Sequence, residues 1–298
     1  MSRIRFGPSL HRLLAVLLPL TLLAAACDGD GGPSSVAPTG RPPAASAAPS
    51  VEPSEEPATT TTALRLWFTQ EEFAGLTSRL AEVTPPRFGT AAVEELLAGP
   101  NAEEASVGFG TAIPEGARLH GLTVEDGLAT ADLSSEFESG GGSLSMRLRL
   151  AQLVLTLTEF STVDAVAIEI DGEPVDVFSS EGIVIEDPLT RDEFEDVMAP
   201  IVVEEPAAGD ELSGSVVVSG TANVFEATVS MRVVDASGNE LVEAFTTATC
   251  GTGCRGTYRK KMSFHVDAAQ DGFVEVFESS AEDGSPIHVV RVPVVLLP

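Results

Sequence analysis

The side chains able to do chemistry are few and widely spaced. Cys250 and Cys254 stand close together in "CGTGCRG", where glycines let the backbone bend enough to bring two sulfurs together. A zinc site needs four ligands, and no second cysteine pair or histidine pair has suitable spacing. The spacing favours a structural disulfide, with free thiols and then a metal as the alternatives. Beyond the N-terminal leader the only histidines are His120, His265 and His288, and neither G-x-S-x-G nor H-E-x-x-H occurs. Glu94 and Glu95 look like an acid pair, but the helix that carries them turns both away from its apolar stripe, as solvated charges. Paired carboxylates elsewhere could still perform glycosidase chemistry in so acidic a chain. No catalytic residue, metal ligand or cofactor is assigned.

One cationic cluster stands out. Arg255, Arg259, Lys260 and Lys261 crowd into "CRGTYRKKMSF" of a chain with 17 basic and 45 acidic residues and a formal charge of -28. Two readings stay open: a contact for an anionic envelope polymer or lipid head group, and an edge strand blunted by charge against self-pairing. The overall field repels nucleic acid.

The N-terminus says where this chemistry takes place. "MSRIRFGPSLHR" is basic, and "LLAVLLPLTLLAAAC" is apolar up to Cys27, an export leader too short and proline-broken for a confident spanning helix. Ala25 and Ala26 before Cys27 resemble a bacterial lipoprotein signal, although Ala24 stands where leucine is usual. The expectation is a signal peptide over 1–26, lipidation at Cys27, and an anchored position on the extracytoplasmic face of the cell membrane, in an oxidising compartment. Residues 27–62, rich in Pro, Ser, Ala and Thr, read as a disordered tether.

Order is expected from "ALRLWFT", a strand with Leu64, Leu66 and Phe68 on one face and Arg65, Trp67 and Thr69 on the other. "FGTAAVEELLAGP" reads as a helix capped by Thr90 and stopped at Gly99-Pro100. Asp126-Gly127 in "GTAIPEGARLHGLTVEDGLATADLSSEF" is a two-residue hairpin turn. It sets Val124 opposite Ala129, Leu122 opposite Ala131 and His120 opposite Leu133, with an apolar buried face. His120 ends that face without a local partner. "GGGSLSMRLRLAQLVLTLTEF" reads as a buried helix capped by Ser143, with Arg147, Arg149 and Gln152 too polar for a membrane span. "VDAVAIEIDGEPV" closes the unit as a strand. Strand, helix, hairpin, helix, strand make a small mixed sheet with helices on one side, over residues 63–178. After a connector at 179–200, about seven alternating runs fill 201–298, the rhythm of an immunoglobulin-like β-sandwich. There Tyr258, Met262, Phe264 and Val266 should face inward, and Arg259, Lys261 and His265 outward. The fold class is α+β.

Through "AAVEELLAGP", "GTAIPEGARL", "VEDGLATADLSSEF" and the long helix and last strand, residues 64 to about 178 resemble a GerMN domain. Through "VSGTANVFEATVSMRVVD", "GTGCRGTYRKKMSF" and "VEVFESSAEDGSP", residues 201–298 resemble the immunoglobulin-like module found beside GerMN in bacterial surface proteins. The resemblance implies a non-catalytic envelope module, related in shape to domains that build rings in sporulation channels, with no catalytic residues to carry over. It also implies relatives among lipoproteins that partner membrane sensor kinases. The expected function is therefore an adaptor, not an enzyme, that binds an envelope protein or cell-wall polymer. An accessory role to a sensor kinase and, behind it, a carboxylate wall hydrolase are the alternatives. The oligomeric state is left open.

Overall fold

The computed structural model describes residues 58–298. The leader, Cys27 and the tether up to residue 57 lie outside the described residues. Order begins earlier than the sequence suggests. β1 (Thr60–Gln70) and β2 (Phe73–Val83) form a long antiparallel hairpin in which Thr60 lies opposite Val83, so Thr60, Thr61 and Thr62 belong to a strand and not to the tether. β2 has no counterpart in the expected element order. In "FAGLTSRLAEV" the residues Ala74, Gly75, Leu76 and Thr77 are buried consecutively, and a strand covered on both faces shows no alternation. Trp67, on the face of β1 shared with Arg65 and Thr69, is buried for the same reason.

α1 (Phe88–Ala98) starts before Thr90, at Arg87, without a side-chain cap, and ends at Gly99 with φ 81°. α2 (Ala102–Ser106) is held by a capping box between Asn101 and Glu104. β3 (Phe109–Gly110) pairs with the far edge of β1. β4 (Leu119–Glu125) and β5 (Leu128–Leu133) turn through Asp126 at φ 50° and Gly127 at φ 85°. Val124 stands opposite Ala129 and Leu122 opposite Ala131, as the turn demands, but Leu119, not His120, faces Leu133. A bulge at His120 absorbs the extra residue and turns the imidazole to the rim, 3.8 Å from Asp171 and 4.0 Å from Asp132. Of the expected apolar face, Ala129, Ala131 and Leu133 are fully buried, Leu122 is half-buried and Val124 is exposed, because β4 is the sheet edge.

α3 (Ser143–Leu157) begins after Gly142 without a side-chain cap from Ser143. β6 (Ala165–Ile170) runs parallel to β5, and β7 (Glu173–Pro174) completes a four-stranded sheet of order β4-β5-β6-β7. The expected single sheet is thus two sheets, and α3 packs against strands of both. The expected connector is no free linker. β8 (Val177–Phe178) and β9 (Ile183–Val184) form a hairpin, and a 3₁₀ stretch over Arg191–Val197 follows. Phe178, Phe194, Val197 and Met198 are buried in the first core.

The second core lies between two sheets. β10 (Ile201–Glu205), β12 (Ser215–Ala222) and β15 (Gly256–Ser263) make one, in that order. β11 (Glu211–Ser213), β17 (Pro286–Leu297), β16 (Gln270–Ser279), β13 (Thr228–Asp235) and β14 (Glu240–Thr247) make the other. The seven expected runs are all strands; β11, too short to show a period, is the addition. Tyr258, Met262, Phe264 and Val266 face inward, and Arg259, Lys261 and His265 outward.

Three polar residues of α3, Arg149, Gln152 and Thr156, are buried. Arg149 is 2% exposed and donates to the carbonyls of Ala112 (2.9 Å), Phe137 (2.5 Å), Ser139 (3.0 Å) and Gly140 (3.2 Å). Gln152 accepts from Ala112 N–H at 2.8 Å, and Thr156 Oγ1 accepts from Trp67 N–H at 3.0 Å. Burial depresses the Arg149 pKa. Replacing Arg149 by Met should cost roughly 3 kcal/mol or more, because it strands several buried carbonyls. Arg149→Lys should recover only part of that, since a point charge cannot reproduce the planar fork. Urea midpoints of the two variants check both statements.

On the neighbouring face Arg147 ties α3 to the 3₁₀ stretch through Asp196 (2.5 and 3.1 Å) and stacks over Phe194. The hydrogen bond from Arg147 holds the Asp196 carboxyl below its ordinary value. Its contribution is therefore complete above the ordinary aspartate range and is lost as pH falls through the depressed pKa. Asp196→Asn should cost no more than about 1 kcal/mol at neutral pH, given the exposure of the pair. Acid titration of stability should show wild type and variant converging once the pH drops below the carboxylate range.

Candidate functional site

The two cores meet along one strand. In β10, Val202 packs into the first core while Ile201 and Val203 pack into the second, as the two-residue period of a strand allows. The join is reinforced on each side of it. Ala199 N–H donates to Ala74 O at 2.8 Å, and the buried Tyr258 hydroxyl donates to Val202 O at 3.0 Å. Arg255, expected in a surface cluster, is turned into this joint with its side chain 12% exposed. It donates to Ala199 O at 2.9 Å and stands 3.9 Å from Glu195. Burial, above all, depresses its pKa.

Two clefts flank the strand. The first, of about 290 Å³, has β2 residues 76–80 and the α2 region as one wall, and residues 203–209 with 290–293 of β17 as the other. At its floor Arg79 links three elements, bonding Glu95 (2.6 Å), Gly99 O (2.9 Å) and both oxygens of Glu104. Burial opposes the charge on Arg79, but hydrogen bonds to Glu104 and then Glu95 outweigh it and raise the pKa. Apolar groups in the walls include Leu76, Leu80, Val107, Phe109, Val203 and Val292, beside polar and charged side chains. Leu80 is 73% exposed. The second cleft, about 460 Å³, is a charged network. Glu159 receives Arg65 (2.6 Å, an ion pair rather than an aligned hydrogen bond), Arg191 (2.5 Å) and Trp67 Nε1 (3.0 Å), and Arg191 lies over the Trp67 ring.

The other sequence candidates are dispersed. Cys250 and Cys254 form a disulfide with Cα atoms 5.7 Å apart, closing the loop before β15. Arg259 pairs with Glu205 at 2.8 Å, Lys260 is half-buried and Lys261 is exposed, so the four cations do not make one patch. Among the described residues the carboxyl clearly pushed upward is Glu243, by burial and then by a hydrogen bond with Glu240. It sits on the exposed edge strand β14, outside both clefts. The clefts themselves were not legible in the sequence; the one local hint was Arg79, a lone cation between apolar residues of β2.

Residues 52–176 match the family model described as "Sporulation and spore germination", and residues 200–285 the one described as "Immunoglobulin-like domain of bacterial spore germination". The chain carries a GerMN domain followed by an immunoglobulin-like module of the spore-germination type. Among solved structures, the first GerMN domain of the sporulation protein GerM from Bacillus subtilis is 24% identical over 44% of this chain and 99% of that one, with a TM-score of 0.38. The tandem GerMN domains of that protein are 15% identical over 80% of this chain and 61% of theirs, also at 0.38. A putative lipoprotein from Clostridium perfringens is 17% identical over 47% and 93%, at 0.33. The chain matches no curated protein.

Within the GerMN domain, Arg79 is the test of the cleft floor. Arg79→Ala leaves the buried Glu104 carboxylate uncompensated and should cost about 3–5 kcal/mol. Adding Glu104→Gln to it should recover a large part of the loss, in a double-mutant cycle measured by chemical denaturation.

Proposed function

We propose that the protein is a lipid-anchored binding or adaptor module on the extracytoplasmic face of a bacterial cell membrane. It acts by presenting surface, without making or breaking covalent bonds. The observation that carries this reading is the first cleft: apolar walls, an open strand edge and a buried carboxylate, Glu104, already bonded to arginine. Such a site offers shape and backbone hydrogen bonds to a partner, and its buried carboxylate, Glu104, is held by arginine rather than left free for acid–base work. The two germination-type family matches and the leader ending at Cys27 support the same role in the envelope. The partner is an envelope protein or wall polymer, and the exposed Lys261 offers an anionic polymer a lesser contact.

Two measurements test the proposal. Cys27→Ser should abolish palmitate labelling and release the protein from membranes. A photo-crosslinking residue at Leu80 should, in living cells, capture the same identified envelope component reproducibly. Turnover of peptidoglycan by the purified protein, with no capture from any surface position, would overturn the adaptor role.

A further inference from the structure

The backbone of β2 decides what the first cleft can hold. Ala74 O points away from β1, since it accepts from Ala199 N–H, and Trp67, opposite Leu76, turns its own N–H away from β2 to Thr156. By the alternation of an antiparallel ladder, the N–H and C=O groups of Leu76, Ser78 and Leu80 then point outward as well. Met198 and Ala199 cover that edge at Ala74, after which the chain turns away as β10 and pairs with β12. Beyond Ala74 no strand pairs with the outer edge of β2 among the described residues. A wedge opens where the strands part, and the cleft fills it. On the far wall Pro293 interrupts any pairing: it has no N–H to give, and its carbonyl accepts from Gly209 N–H.

Charge narrows the occupant further. In the cleft Arg79 is committed to Glu95 and Glu104, and Arg291 to Glu275 at 2.8 Å beneath its stack on Phe273. Glu103 and Glu204 are exposed on the rim and paired with no cation among the described residues, on a chain of formal charge -28. The protein's own segment 28–57 is a poor occupant by composition. It carries five acids against Arg41, and its repeated prolines lack the N–H that a ladder needs.

We infer that the cleft binds an extended, basic segment of another polypeptide, which adds to the sheet as a strand along Leu76, Ser78 and Leu80 with its cations at Glu103 and Glu204. Main-chain hydrogen bonds supply affinity, Leu76, Leu80 and Phe109 take alternate apolar side chains, and the rim selects charge. This inference rests on the adaptor reading and names the chemistry of its partner.

The test uses the full-length protein and two six-residue peptides, one alternating lysine with valine and one alternating glutamate with valine. The lysine peptide should bind, weaken as salt rises, and slow amide exchange at Leu76, Ser78 and Leu80; the glutamate peptide should not. Ser78→Pro removes an outward N–H that no internal bond uses, so it should leave the circular dichroism unchanged and weaken binding about tenfold. Leu80→Lys, at an exposed position, should also weaken it and guards against a misfolded proline variant. Unchanged exchange at the three amides on binding, equal affinity for both peptides, or full affinity in folded Ser78→Pro would each overturn the inference. A photo-crosslinking residue at Phe245, on the exposed face of β14, separates the two levels. No capture at Leu80 rejects the strand site; reproducible capture of one identified envelope protein at Phe245 then keeps the adaptor role, and peptidoglycan turnover with no capture from any surface position rejects both.

Discussion

The GerMN domain depends on a helix that is buried all round and yet is not apolar all round. Arg149, Gln152 and Thr156 recur at helical spacing along α3, and each faces backbone groups that the sheets leave unserved. A buried N–H or C=O must find a partner or cost free energy comparable to a lost hydrogen bond. Trp67 N–H lies on β1 beyond the reach of the two-residue β3, and the loops at 111–113 and 137–140 have no strand beside them. The helix therefore does the work of a missing strand. Placing a guanidinium there is costly, since no carboxylate compensates it, only carbonyl dipoles. The same cost gives the arrangement its specificity, because a shift of one residue along α3 would strand both the cation and its carbonyls.

That helix fixes β1, β1 fixes β2, and β2 supplies the edge where the second module attaches. β10 belongs to both cores by alternate residues, so neither module closes its apolar surface without the other. The clefts follow from geometry rather than from any loop dedicated to them. A strand that leaves one sheet to join another must open a wedge on the side from which it departs. The cleft is thus a property of the pair of modules, which a description of either one alone would miss.

What the sequence made legible were elements with one buried face. The Asp126-Gly127 hairpin and the runs of the sandwich alternate cleanly, since one side meets the core and the other water. Elements covered on both sides lost that signature: β2 shows consecutive burial at Ala74 to Thr77, and Trp67 sits on what alternation assigns to solvent. His120 was misplaced by a bulge, which changes facing without changing residue type. Arg255 read as a surface cation, and the burial of Arg149 went unforeseen, because charge is visible in sequence and the acceptors are not. Those acceptors are carbonyls of other segments, from 9 to 56 residues away. Phe194, Val197 and Met198 were hidden among the acids of an apparent connector for a related reason, since two apolar residues in a 3₁₀ stretch and a third just after it are too few to establish a period.

The same distinction bears on the surface. Arg65, Arg79, Arg147, Arg191, Arg232, Arg259 and Arg291 are all paired with carboxylates, and Arg149 is sunk among carbonyls. Among the described residues, cations are largely committed to the protein's own architecture. The acids far outnumber them, so the surplus negative charge remains on the surface as a long-range field. Within the Debye length of about 8 Å at physiological salt, such a field favours cationic partners and repels acidic ones. It cannot by itself choose among cationic partners. In the strand-docking site we propose, selection among them would fall to the short-range features of the joint, where backbone direction and apolar walls discriminate by conformation.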